Sequence, residues 1–434
     1  MVDLAHTAGY KMSIFLEDKE GLSNQEIVAA VKKSLEGKKL TNVLILPPDY
    51  TRFHSNAGFI TNCYYHELVN LGVNVDILPC LGTHVAMTNE ELEKMYGDIP
   101  FEKFIVHDWR NDVEKIGIVP KEYIYEISEG LWNEDIDVET NKLILDPKYD
   151  LILSIGQVVP HEVVGMSNHA KNIFVGAGGS KMINSSHMLG AVYGMERMMG
   201  KDYTPVRKVY DYAFEHFLND RPVEFVLTVT TAPKGIIKTH GLFISEGREC
   251  LNKAVQLAQK TNIDFVDKAF KKCVVYLDPS EFKSTWLGNK AIYRTRMAMA
   301  DGGELIVLAP GIDKFGEDSD IDKLIRKYGY VGRLNILEKF NDLNNEDLRN
   351  NMSAAAHLIH GSSDGRFKIT YAVDKISKKE IESVGFESAD YNELIKTYDP
   401  EKLKYGFNEV NNEEVYFIPN PALGLWIDKN KFQE

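Results

Sequence analysis

Cysteine is scarce in this chain. Its 434 residues hold four, Cys63, Cys80, Cys250 and Cys273, and none stands at Cys-x-x-Cys spacing. That excludes a disulfide scaffold and a thiolate zinc site, and it suits a reducing compartment. Positive charge is also short: 50 Lys and Arg face 64 Asp and Glu, a formal net charge of −14. Without a basic block, nucleic acid is excluded as the main partner, although one basic pocket for a small anion is not. No stretch of about 18 apolar residues occurs, and positions 1–18 lack the apolar region of a signal peptide. A cytoplasmic protein with no membrane partner is therefore expected. Low-complexity linkers, internal repeats, a His-Glu-x-x-His helix motif and a complete Gly-x-x-x-x-Gly-Lys-Ser/Thr loop are all absent.

What is present is ordinary for a folded protein, with 44% hydrophobic and 10% aromatic residues. Strand-like runs at 43–46, 73–79 and 149–156 alternate with helical patterns at 27–35, 56–71 and 90–96. This β-α-β alternation predicts a parallel sheet covered on both faces. Positions 225–231 and 235–243 read as a β-hairpin, followed by a helix over 246–260. A second α/β series then begins: strands at 274–278 and 304–308 flank a helix over 290–300, and another strand is expected at 368–373. The expectation is an α/β protein of two α/β domains with mainly parallel sheets and the active site in the cleft between them. Residues 1–265 form the first domain and 266–411 the second, with the boundary between Lys260 and Lys272 and a tail over 412–434 packing back on the first.

Ligands of open α/β sheets bind beyond the carboxyl ends of the strands. The residues that follow the strands are Asp49 and Arg52, Gly82-Thr-His84, and Pro160-His161-Glu162. Beyond them run Lys171, Gly176, Gly178, Gly179, Lys181 and His187. The glycines suit a backbone that approaches a phosphate. Ser185 or Ser186 caps a helix over 188–199, placing His187 in its first turn, where an anion is favoured. Each feature has a plainer account. Asp49 and Arg52 form a local ion pair, the histidines are hydrogen-bonded structural groups, and the lysines are solvated. Those accounts weaken jointly because the residues share one sheet edge. His84, His161 and His187 as a zinc hydrolase site is the first alternative, disfavoured by the nearby cations. His107 is read as structural, and His357 and His360 as a helical i, i+3 pair on a surface or packed helix.

Together, Asp49-Tyr-Thr-Arg52, Gly82-Thr-His84 and His161-x9-Lys171-x15-His187 resemble the nickel-pincer lactate racemase family. The stretch 301–310 with Phe315-Gly-Glu317 resembles that family's second domain. The resemblance implies a nickel-pincer nucleotide (pyridinium-3,5-bisthiocarboxylic acid mononucleotide nickel) attached through Lys171, with nickel bound by His187. It implies that His84 and His161 move the substrate hydroxyl proton, that Arg52 and Lys290 hold the carboxylate, and that Asp49 flanks the pocket. The implied reaction is inversion at C2 of a 2-hydroxy acid by hydride transfer to and from the cofactor. Gly176, Gly178 and Gly179 are placed near the cofactor phosphate.

Two departures from the family pattern bear on the substrate. Ser167-Asn-His-Ala-Lys171 stands where Ser/Thr-Gly-Gly-x-Lys is usual, and Trp286-Leu-Gly-Asn-Lys290 where an aromatic-Gln pair is expected. With Asn168, His169 and Trp286 as pocket walls, the expected substrate is larger than lactate, such as D-gluconate, making the enzyme a 2-epimerase. A lactate racemase proper is the runner-up, and a non-catalytic cofactor carrier the non-enzyme alternative. Expected partners are the small 2-hydroxy acid and the enzymes that make the cofactor, and a homo-oligomer is compatible with the sequence.

Overall fold

The computed structural model describes residues 13–422 and 424–431. Its first half is built on a six-stranded sheet in the order Ile14–Glu17, Lys238–Ser245, Val223–Thr231, Leu151–Gln157, Asn42–Leu46 and Asn74–Ile77. The last four are mutually parallel; Lys238–Ser245 pairs antiparallel with Val223–Thr231, and Ile14–Glu17 antiparallel with Lys238–Ser245. Period-two alternation explains why both faces are covered. In Asn42–Leu46, Val43 and Ile45 face a core shared with Ile27, Val31, Ile60 and Leu68 of two helices. Leu44 and Leu46 face the opposite core, with Val206, Val209, Leu251 and Ala254. The helix Asn24–Leu35 starts where Ser23 and Glu26 form a capping box, and Thr88 with Glu91 does the same for Asn89–Tyr96.

A second six-stranded sheet runs Glu387–Asp390, Lys368–Val373, Met299–Leu308, Phe270–Tyr276, Glu413–Ile418 and Gly406–Val410, with only the last strand antiparallel. The mixed α/β architecture with mainly parallel sheets agrees with the sequence reading. Some boundaries differ. The helix expected over 290–300 ends with Lys290–Thr295, and the strand expected at 304–308 begins at Met299. Met299 already pairs with Phe270, and the kink at Gly302 (φ +74°) lets the strand continue through a register shift. An antiparallel hairpin, Val113–Val119 with Ile136–Asn141, was not foreseen.

The halves meet at several points. Asp264–Val266 pairs in parallel with Trp426–Asp428, over a cluster of Met195, Met199, Ile263, Tyr293, Met297, Leu425 and Ile427. Helix Ser180–Tyr193 packs on helix Met352–His360, where Ser353 Oγ donates to Asn184 Oδ1 at 2.7 Å. Glu196 Oε1 accepts from Arg296 Nε at 3.0 Å and from Arg366 Nη1 at 2.7 Å. Among the described residues, no helix is long and apolar enough to cross a membrane.

Candidate active site

One cleft gathers side chains from the carboxyl ends of the first sheet and from the second half of the chain. Strand Asn42–Leu46 ends at Pro47-Pro48, and Asp49 caps the turn Tyr50–Ser55 by accepting from Thr51 N at 3.1 Å. Its other oxygen, Oδ2, accepts from His84 Nδ1 at 2.5 Å. Asp49 thus pairs with His84 and not with Arg52. Burial pushes the Asp49 carboxyl up, but the His84 and Thr51 hydrogen bonds and the Arg52 charge outweigh it and hold it below the usual range. With Nδ1 committed, His84 has its Nε2 lone pair free. The His84 loop is fixed by Gly82, whose N–H donates to Gly176 O at 2.8 Å from a left-handed φ of +56°.

His161 sits in a tight hairpin, Pro160–His161 against Gly165–Met166. Its Nδ1 accepts from Val163 N at 3.1 Å, so the neutral ring carries its proton on Nε2. Burial, joined by the charges of Lys171 and Arg52, holds it neutral well below the ordinary histidine range. Lys171 leads into a π turn, Asn172–Gly176. Asn172 Nδ2 clamps that turn to the sheet by donating to Leu46 O at 3.1 Å and Ser154 Oγ at 3.0 Å. The half-buried Lys171 amine has no hydrogen bond or ion pair among the described residues, and burial, with Arg52, lowers its pKa to about 8. His187 donates from Nδ1 to Ile183 O at 2.6 Å, one helical turn back, which leaves Nε2 as an open lone pair. Burial and Lys171 lower its pKa to about 4.

The second half supplies Trp286, Leu287, Lys290 and Tyr293, and from helix Met352–His360 Ser353, His357 and His360. Ser284 caps the short helix Thr285–Gly288 that carries Trp286, and Trp286 stacks on His357 with ring centroids 4.1 Å apart. Burial, then Arg52, lowers the Lys290 pKa to about 8. The Arg52 guanidinium makes no hydrogen bond or ion pair among the described residues. Arg52, Lys171 and Lys290 therefore form a cationic pocket in an acidic chain, suited to an anionic ligand.

The structure brings Asp49, Arg52, His84, His161, Asn168, Lys171, Gly176, His187, Trp286 and Lys290 to this cleft. It does not bring His169, Gly178 or Gly179. The His169 ring is buried and stacked on Phe225 at 3.7 Å, behind the cleft wall. Gly178 and Gly179 serve packing: a Cβ would lie 1.8 Å from Phe174 O at the first and 2.2 Å from Glu139 Oε2 at the second. The helix expected over 188–199 is Ser180–Tyr193, begun by extended Gly179, so His187 lies within it and not in its first turn. His107 is buried, with Nε2 on Gly178 O and Nδ1 on Asn141 Nδ2, both at 3.0 Å. Among the described residues no three His, Cys, Asp or Glu are grouped to hold a metal, so the three-histidine zinc site has no geometry here. Sequence reasoning missed Glu162, Ser353, His357 and His360 as cleft residues. The first adjoined a histidine already singled out, and the two histidines shared one helix face.

Residues 19–199 match the family model of the lactate racemase N-terminal domain. The lactate racemase of Thermoanaerobacterium thermosaccharolyticum is 30% identical over 185 residues, which are 41% of this chain and 39% of that relative's length. A crystal structure of a Thermotoga maritima protein superposes with a TM-score of 0.80 at 24% identity, covering 95% of this chain and 100% of that one. The lactate racemase apoprotein from T. thermosaccharolyticum superposes with a TM-score of 0.67 at 19% identity, covering 94% and 93%. At such identities these two structures establish the fold.

Proposed function

Starting from a chain that is lactate racemase-like, with that family's N-terminal domain over residues 19–199, we propose that it is an isomerase, a racemase or epimerase that inverts C2 of a 2-hydroxy carboxylic acid. The observation that carries this reading is one cleft holding an unpartnered lysine, a histidine with an open Nε2 and a carboxylate-backed histidine. Arg52 and Lys290 bind the substrate carboxylate and fix C2 in place. His84 accepts the hydroxyl proton at Nε2, while Asp49 stabilises the resulting imidazolium. His161 is its counterpart in the acid/base pair, presenting Nε2–H in the resting site. Return of hydrogen to either face of a planar keto acid gives either configuration.

The residues present fit a nickel-pincer nucleotide. Lys171 would hold it covalently through a half-buried amine with no competing partner. His187 would ligate nickel through Nε2, its Nδ1 already held by Ile183 O. When bound, that cofactor supplies a hydride acceptor, which no side chain here offers. Cofactor-making enzymes are then necessary upstream partners. A non-catalytic carrier has no use for the His84–Asp49 pair, which favours the enzyme. The substrate we propose is larger than lactate, a sugar acid such as D-gluconate, because Asn168 and Trp286 line the cleft.

Intact-mass spectrometry of protein made with and without the cofactor-making enzymes tests this. A mass increment on the Lys171 peptide, with nickel by elemental analysis, is expected. Turnover of C2-deuterated substrate should retain the label. An unmodified Lys171, or free exchange of the label with water, would overturn the proposal.

A further inference from the structure

The chain between His161 and Lys171 is held from behind by the start of a helix, Pro205–Phe217. Thr204, which caps that helix, donates from Oγ1 to Val164 O at 2.8 Å. Arg207, in its first turn, donates from Nη2 to Met166 O at 2.7 Å and to Asn168 O at 3.0 Å. Three alternate carbonyls of one segment thus end on one helix turn. Between them Ser167 ties the segment to the sheet side, its Oγ donating to Gln157 O at 2.7 Å and its N–H to Val159 O at 2.9 Å. Asn168 and His169 are the left-handed pair, at φ +67° and +59°, through which the chain turns into Lys171. Side chains are strained in that region, so such a turn persists only where its surroundings hold it.

Arg207 is an unusual residue to find there. It is wholly buried, at 0% exposure, and makes no ion pair among the described residues. Asp211, one turn along the helix, gives its Oδ2 to Arg248 Nε at 2.9 Å. The Arg207 Nε and Nη1 have no hydrogen-bond partner among the described residues. A buried charge without a paired carboxylate is costly, and an apolar side chain would fill the same space at less cost. What the guanidinium does make is the clamp on the loop.

We propose that Arg207 is a positioning residue for the Lys171 amine: by holding Met166 O and Asn168 O through one guanidinium nitrogen, it fixes the strained turn that delivers Lys171 to the cleft. The inference rests on the reading of Lys171 as the cofactor anchor and adds to it a residue outside the cleft lining. Covalent attachment needs the amine in one place, and a loop free to relax from its left-handed pair would spread it over several. The Arg207 charge works in the same direction. Burial and Arg52 lower the Lys171 pKa to about 8, and Arg207 adds to that lowering, which raises the share of neutral, bond-forming amine.

Two readouts test this. Hydrogen–deuterium exchange on cofactor-free protein follows the loop itself. Intact mass after production with the cofactor-making enzymes gives the share of Lys171 that is loaded. In Arg207→Met the amides of 167–172 should exchange about tenfold faster, as for a lost hydrogen bond to a charged group, and the loaded share should fall about tenfold. The strands of the first sheet should keep their protection. Arg207→Lys, which keeps the charge without the planar fork, should lie between Arg207→Met and wild type. Val209→Ala, a core position of the same helix, should lower the thermal midpoint while loop exchange and loading stay as in wild type. Unchanged loop exchange in Arg207→Met, or in Arg207→Lys should the first variant fail to fold, would overturn the inference. So would an equal loss of loading in Val209→Ala at a matched midpoint, since Arg207 would then only stabilise. A wild-type Lys171 that never carries the cofactor would defeat the anchor reading instead, and the exchange measurement would still decide whether Arg207 places Lys171.

Discussion

A single carboxylate decides what His84 can do. Asp49 Oδ2 fixes the Nδ1–H tautomer, which leaves the lone pair on Nε2, the atom that acts as base under the proposed function. Asp49→Asn presents an amide that can donate to the ring and favour the wrong tautomer. A kcat loss of about 10²–10⁴-fold, at a KM changed far less, is expected in steady-state assays. Lys290 carries a second prediction. Its pKa, lowered to about 8, means that it is charged below that pH and neutral above it. The KM for the hydroxy acid should be flat at neutral pH and climb as pH rises through about 8. In Lys290→Met the KM should be high throughout and lack that inflection. At this scale, the residues that follow strands were legible because strand ends are where chemistry collects. His169 misled for a reason visible only in three dimensions: its neighbour Asn168 turns into the cleft while the His169 ring turns into the core.

The segment from Ser167 to Gly176 shows how an element places those groups. Asn168 and His169 are both left-handed, at φ +67° and +59°, which explains why glycines suit this loop in the family it resembles. Asn168 eases its own case by accepting from His169 N through Oδ1 at 2.7 Å. His169 is held by stacking on Phe225. Two effects compete in His169→Gly: relief of a left-handed side chain, about 1–2 kcal/mol, and loss of a buried aromatic ring, about 3–5 kcal/mol. Packing wins, so denaturant titration should show a net loss of about 1–4 kcal/mol. Regular elements with clear periodicity were legible, such as Asn42–Leu46 and Ala57–Asn70. The π turn and the start of helix Ser180–Tyr193 were not, because the clamp by Asn172 on Leu46 O and Ser154 Oγ is a long-range contact.

The whole molecule depends on how its halves are joined, since Lys290 and His360 face His84 and His187 across that junction. Glu196 bridges it by receiving both Arg296 and Arg366. Glu196→Ala leaves the nearly buried Arg296 with fewer partners. Calorimetry should show a midpoint lowered by a few degrees, as for about 1–2 kcal/mol, and substrate KM should rise because the walls of the cleft lose register. The two sheets themselves were legible from alternating strand and helix patterns. The junction was not, because it is made of scattered single residues and the pairing of Asp264–Val266 with Trp426–Asp428.

That junction divides labour unevenly. Arg52, His84, His161, Lys171 and His187 all precede position 199, within the stretch that matches the lactate racemase N-terminal domain, whereas Trp286, Lys290 and His360 lie beyond it. Under the proposed function, the proton-moving and cofactor-holding groups are thus encoded in one length of gene, while the walls of the cleft come from both, Asn168 from the first and Trp286 from the second. A chimaera that keeps the first half is expected to retain the reaction, with substrate choice set jointly by the two.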